Sequence, residues 1–156
     1  NDFFNGVAEY ETIAQVKSAV GIPIIANGDI DSPKKAFEVL KFTGADAVMI
    51  GRAAQGSPWI FREIEYYLAT GSLAPKIDLQ TRLELILSHV MKLHSFYGDL
   101  KGVWYARKHV AAYVAELAGS REFMKHFNTI ETPAEQLKQI QEHFAFLDAY
   151  NGAEAA

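Results

Sequence analysis

The sequence predicts an α/β fold followed by an all-α one. Two short apolar runs, Ile22-Pro23-Ile24-Ile25-Ala26 and Ala45-Asp46-Ala47-Val48-Met49-Ile50, each stop at glycine and a polar residue, in Asn27-Gly28-Asp29 and Gly51-Arg52. One helix's length of chain separates them, the pattern of a strand–helix–strand unit. From Asp78 onward the apolar spacing is helical throughout. Ala74-Pro75-Lys76 is the candidate linker, so the chain divides into 1–74, 75–150 and a tail, 151–156, expected to be flexible.

Composition narrows the function classes. A chain of 156 residues suffices for one ordinary domain or two small ones. With 49% hydrophobic and 22% charged residues it is globular. The net charge is −4, and neither 1–74 nor the remainder is net basic, so any nucleic-acid contact must come from a local patch. Cysteine is absent, which excludes a disulfide, a thiolate metal site and a cysteine nucleophile within this chain. No apolar run approaches the roughly 20 residues of a membrane span. No basic-then-apolar leader opens the chain. A cytoplasmic location is the expectation.

The elements follow in order. Asn1 to Val7 reads as a loop with an Asn5-Gly6 turn. Residues 8–20 place Tyr10, Ile13, Val16 and Val20 on one helical face, and Gly21 ends that helix. Ile22 to Ala26 is apolar in every register, which predicts a parallel strand buried on both faces. Ser32-Pro33 is an N-cap with proline at the first helical position, and Thr43-Gly44 closes that helix. Ala45 to Ile50 is the second buried strand, expected to lie parallel and adjacent to the first. A short turn after Arg52 leads to a helix starting at Ser57-Pro58, with Trp59 and Phe61 expected to wedge it onto the rest of the α/β body rather than to stack on a base. The remainder reads as an antiparallel bundle of four helices. Its first helix carries Leu79, Leu83, Ile86, Leu87, Val90 and Tyr97 inward and breaks at Gly98-Asp99. The second runs from Val103 to Leu117, and a short third from Arg121 to Asn128. Thr132-Pro133-Ala134-Glu135 is a capping box that opens the last, with Leu137, Ile140, Phe144 and Leu147 inward.

Ligands of parallel α/β folds sit at the carboxyl ends of the strands. Gly28 and Gly51 let an anion approach the backbone, and Arg52 adds a charge-assisted donor. Phosphate binding is one reading of these loops. The other is a pair of turn glycines with Arg52 as a surface ion-pair partner. Asp31 belongs to the helix start, and Asp29 orients its loop. Lys101, Arg107, Lys108 and His109, with Trp104 and Tyr105 beside them, suit RNA, through phosphate contacts and base stacking. The alternative is a solvated helix face with Trp104 packed inward. His89 and His94 are five apart, a poor spacing for one helix face, so no metal site is expected.

The stretches Ile24-Ile25-Ala26-Asn27-Gly28-Asp29-Ile30, Gly44 through Gly56 and Pro58-Trp59-Ile60-Phe61-Arg62-Glu63-Ile64 resemble the tRNA-dihydrouridine synthases. Phe96-Tyr97-Gly98, Ala106-Arg107-Lys108-His109-Val110 and Phe127-Asn128-Thr129-Ile130 resemble their B-type bacterial branch. The resemblance implies an FMN-binding TIM barrel followed by a helical tRNA-binding domain, with NADPH as reductant and tRNA as partner. It implies that Asn27, Gly28, Asp29, Gly51 and Arg52 meet the FMN phosphate. It places Lys101, Arg107, Lys108 and His109 in the tRNA-facing region. An eight-stranded barrel takes about 200 residues or more, so the chain is expected to hold only the last strands of a (β/α)8 barrel. The family's cysteine acid lies outside it, which leaves no catalytic residue here and an inactive isolated chain. Exposed strand edges are expected to promote self-association. Two other readings stand beside this one: a non-catalytic RNA-binding helical module with a residual β-α-β appendage, and another FMN- or phosphate-binding barrel enzyme, such as a dihydroorotate dehydrogenase relative.

Overall fold

The computed structural model describes residues 8–154. Its elements are α1 (Glu11–Ala19), β1 (Ile25–Asn27), α2 (Pro33–Thr43), β2 (Ala47–Met49), α3 (Ile60–Thr70), α4 (Leu79–Val114), α5 (Ser120–Phe127) and α6 (Pro133–Glu154). They fall into two units, Asn1–Pro75 and Lys76–Ala156. The Asn5-Gly6 turn lies outside the described residues.

The first unit is a strand–helix–strand with two further helices. β1 and β2 pair in parallel with Ile25 opposite Ala47, Ala26 opposite Val48 and Asn27 opposite Met49, the arrangement expected of the crossover. Ser32 caps α2 by accepting from the Lys35 backbone N–H, and Pro33 opens it. α2 packs on α1, α3 and both strands. The core is small: Ala26, Ile30, Ala36, Val39, Ala45, Ile60 and Ile64, flanked by Tyr10, Ile13, Ile24, Val48 and Ile50.

Three expectations here need correction. The strands are shorter than expected and are not buried on both faces. Pro23 has no N–H to give a ladder, so pairing begins later. Side chains alternate across a strand; Ala26 is buried against the core while Ile25 is 64% exposed. No element among the described residues covers that second face. Second, α1 begins at Glu11 rather than at residue 8, and Val16 and Val20 are exposed. Third, α3 begins at Ile60, two residues beyond Pro58, and Phe61 is exposed rather than wedged against the α/β body.

The second unit is all helical. α4 is continuous in sequence but breaks at Gly98, whose φ of 75° and ψ of 172° are not helical. The break is a single residue, tighter than the loop expected up to Val103. The two halves of α4 come close behind it. A Cβ on Gly102 would lie 2.7 Å from the Cα of His94 and 2.9 Å from the carbonyl oxygen of Leu93, so only glycine permits that approach. α5 and α6 both pack on α4 and on each other. Ile86, Val90, Val103, Val110, Val114, Phe127, Ile140, Phe144 and Leu147 form the buried interior. Tyr97, expected inward, is exposed because it sits at the break. α6 runs to Glu154, beyond the onset of the expected tail at 151; one glycine at Gly152 disfavours a helix by only about 1 kcal/mol.

A polar network crosses this interior. The fully buried Gln136 accepts at Oε1 from His94 Nε2–H at 2.9 Å, and its Nε2 donates to the Val103 carbonyl at 3.1 Å. The Arg82 guanidinium donates to the Tyr113 carbonyl. These bonds tie both halves of α4 to each other and to α6.

Candidate functional site

All five residues singled out for phosphate contact, Asn27, Gly28, Asp29, Gly51 and Arg52, lie at the carboxyl ends of β1 and β2. Gly28 has a φ of 139°, and a Cβ there would fall 2.5 Å from the Ala8 Cβ. Its glycine is therefore required by the approach of the chain leading into α1. Its carbonyl accepts from the Tyr10 hydroxyl at 2.6 Å. Asp29 follows with a positive φ of 42°, which a short polar side chain tolerates. One Asp29 carboxylate oxygen accepts from the Arg52 guanidinium at 2.8 Å and the other from the Ala8 N–H at 3.0 Å. Asp29 thus orients the loop, and it cross-links the β1 loop to the β2 loop. Gly51 differs from Gly28: a Cβ there would meet nothing within 4 Å. It faces open space at the start of a short 3-10 turn, Arg52–Ala54. Asn27 ends β1 in register with Met49 and is exposed.

Tyr10 was not singled out for this role in the sequence. Its ring lies 4.9 Å beneath the Lys35 ammonium. Burial, then the charges of Asp29 and Asp31, raise its phenol pKa. On the opposite end of the sheet Asp46 accepts from the Ile24 N–H at 2.6 Å and from Lys17 at 2.7 Å. The Lys17 bond, then the backbone bond, hold its carboxyl below the usual range.

The residues proposed for RNA divide between surface and interior. Lys101 and Lys108 are exposed. Trp104 and Tyr105 are half exposed, so Trp104 is not packed inward. Arg107 is partly buried, donates to the Ile130 carbonyl at 3.0 Å, and has a buried Nε without a hydrogen-bond partner among the described residues. Its guanidinium fastens α4 to the segment ahead of α6. His109 is partly buried and stacks edge-on against His89, with ring centroids 4.8 Å apart. His89 Nδ1 lies 3.0 Å from the Tyr113 hydroxyl. Burial lowers the pKa of both histidines, with smaller contributions from Lys108 at His109 and from His109 and Lys92 at His89. His143 stacks on Phe123 at 4.2 Å and is also lowered by burial. No group of three potential metal ligands occurs among the described residues. No helix among them is long and apolar enough to cross a membrane.

The profile of the family described as dihydrouridine synthase matches residues 1–150. The chain belongs to the dihydrouridine synthase family. Members of this family share more than half of its residues. The chain is 54% identical over 144 residues to tRNA-dihydrouridine synthase B of Pseudomonas syringae pv. tomato, covering 92% of this chain and 43% of that protein. It is 55% identical over 141 residues to the proteins of that name from Salmonella typhimurium and Escherichia coli K12, covering 90% of this chain and 44% of each. The chain thus spans less than half the length of the relatives it matches.

Proposed function

We propose that this chain carries the phosphate end of an FMN site and the RNA-contacting unit of an enzyme that reduces uridine to dihydrouridine in tRNA. The observation that carries the proposal is the 54–55% identity, across nine-tenths of the chain, to proteins named tRNA-dihydrouridine synthase B. On this reading 1–74 is the end of a (β/α)8 barrel, with β1 and β2 as its last two strands. Residues 75–150 are an antiparallel helical tRNA-binding domain. The enzyme works in the cytoplasm, and the uncovered strand edges of the isolated chain promote self-association.

The loops suit a phosphate. The open space at Gly51 is a cradle that a side chain would fill. The backbone of Asn27, Gly28 and Asp29 ends the neighbouring parallel strand. Arg52 is held at this edge by Asp29. A guanidinium carries five donors, so pairing with Asp29 is compatible with binding an anion. When bound, FMN would supply the hydride chemistry, with NADPH as its reductant. The residues of this chain fix the phosphate and present exposed cations, Lys101 and Lys108, to RNA. Arg107 and His109 act by positioning the helix that bears them. With no cysteine in the sequence, the proton donor comes from outside this chain, and the isolated chain is inactive.

In a protein extended to the length of its relatives, Gly51→Val is expected to weaken FMN retention roughly tenfold, about the effect of displacing one good phosphate hydrogen bond. Flavin content of the purified protein measures this. Undiminished flavin would remove the phosphate role from the β2 loop.

A further inference from the structure

At the Gly98 break the two halves of α4 expose a chain of touching aromatic rings. Phe96 meets Tyr97 edge-on with centroids 4.8 Å apart, and Tyr97 meets Tyr105 at 4.6 Å. The three residues are 81%, 44% and 49% exposed. Such rings are normally buried, and a contiguous exposed set marks an interaction surface. The charges around it indicate the partner. Lys101 and Lys108 stand four residues before and three after Tyr105, on the same helical face, and both are exposed. Residues 85–115 hold four cations, Lys92, Lys101, Arg107 and Lys108, against one acid, Asp99, in a chain whose net charge is −4. The centre of a protein-docking patch is depleted of charge. Rings bracketed by cations instead match unpaired nucleotides, which offer a π-face to stack and a phosphate on either side.

We propose that Phe96, Tyr97 and Tyr105 form a stacking platform for an unpaired base of RNA, with Lys101 and Lys108 on the flanking phosphates. The proposal rests on the tRNA reading above and deepens it. The platform grips a splayed-out nucleotide, whereas cations alone would follow any RNA backbone.

The test is binding of an unmodified tRNA transcript to this chain by fluorescence anisotropy at several salt concentrations, with an RNA duplex of similar length as competitor. Tyr97→Leu and Tyr105→Leu are compared with Tyr97→Phe and Tyr105→Phe, and with Lys101→Gln and Lys108→Gln, after circular dichroism shows native helix content. Stacking predicts that each leucine variant loses about 5- to 150-fold in affinity. The phenylalanine variants keep it. The salt slope is unchanged in the leucine variants and shallower in the glutamine variants. Leucine variants that bind tRNA as the parent does would overturn the platform while leaving the tRNA reading intact. Failure of the parent chain to bind tRNA at all would overturn both. Should the leucine variants instead change the sedimentation of the protein alone, the rings are a protein interface and the proposal fails.

Discussion

The two units of this chain solve the same packing problem differently. In Lys76–Ala156 the halves of α4 close on each other at Gly102, α5 and α6 cover them, and buried polar atoms of Gln136 and His94 satisfy one another. In Asn1–Pro75 the core is three alanines, three isoleucines and one valine, and among the described residues one face of the two-stranded sheet is left bare at Ile25. A helix can bury its apolar stripe on a neighbour in the same unit. A parallel sheet needs cover on both faces. Among the described residues, the sheet of this unit has cover on one face. The difference shows which part of the chain is specified by its own contacts.

Four experiments test this contrast. The largest effect is expected from Gly102→Val. Its Cβ would press on backbone atoms of Leu93 and His94 that cannot yield, so urea unfolding of the helical unit should show a loss of about 3 kcal/mol. Gln136→Ala comes next. It strands His94 and the Val103 carbonyl in the interior, and the midpoint should shift by about 2 kcal/mol. Retained stability in either variant would mean that the helical unit is not so tightly closed.

The third experiment uses pH. All five histidines of the sequence lie beyond Pro75. Burial lowers His89, His109 and His143 in the folded state. A histidine with a depressed folded pKa takes up its proton more readily when unfolded. Its contribution is therefore present above the unfolded value, near 6.5, and is lost as pH falls below it. Near His89, Lys92, His109 and Tyr113 provide no acid to offset a new charge. Asp46 in the first unit and Asp78 in the second are also lowered, by Lys17 and by Thr81 respectively, and their contribution is lost only below about pH 4. A stability loss between about pH 6.5 and 5 must then come from the helical unit, and His89→Gln should reduce it. A pH-independent midpoint across that window would refute the assignment. The smallest effect is expected at the bare face of the sheet. Ile25→Thr should change stability by less than about 0.5 kcal/mol in thermal unfolding. A loss of 2 kcal/mol would show that this face is covered.

Much of this was legible in the residues. Ser32-Pro33, Thr43-Gly44, Thr132-Pro133 and Gly98 marked their helix ends because caps and breaks are local chemistry. The parallel pairing of β1 and β2 followed from the crossover between them. What escaped depends on residues distant in sequence. The need for glycine at Gly28 is created by Ala8, and at Gly102 by His94. Gln136 shows no sign of its place at the centre of a core, since a glutamine near a helix start is usually solvated. Arg107 and His109 look like surface cations beside Lys108, yet their helical phase turns them toward Ile130 and His89. Asp29 is the case in which sequence and structure meet: a loop-orienting role was expected, and the carboxylate links Ala8 and Arg52.

The central claim is that the β1 and β2 loops are the phosphate end of a flavin site completed by residues outside this chain. Its most direct test is an FMN titration of the purified 156-residue chain, followed by flavin fluorescence, with a full-length relative as control. The account predicts saturable binding by the relative and none by the short chain at matched concentrations. Tight binding by the short chain, or no binding by the relative, would contradict it.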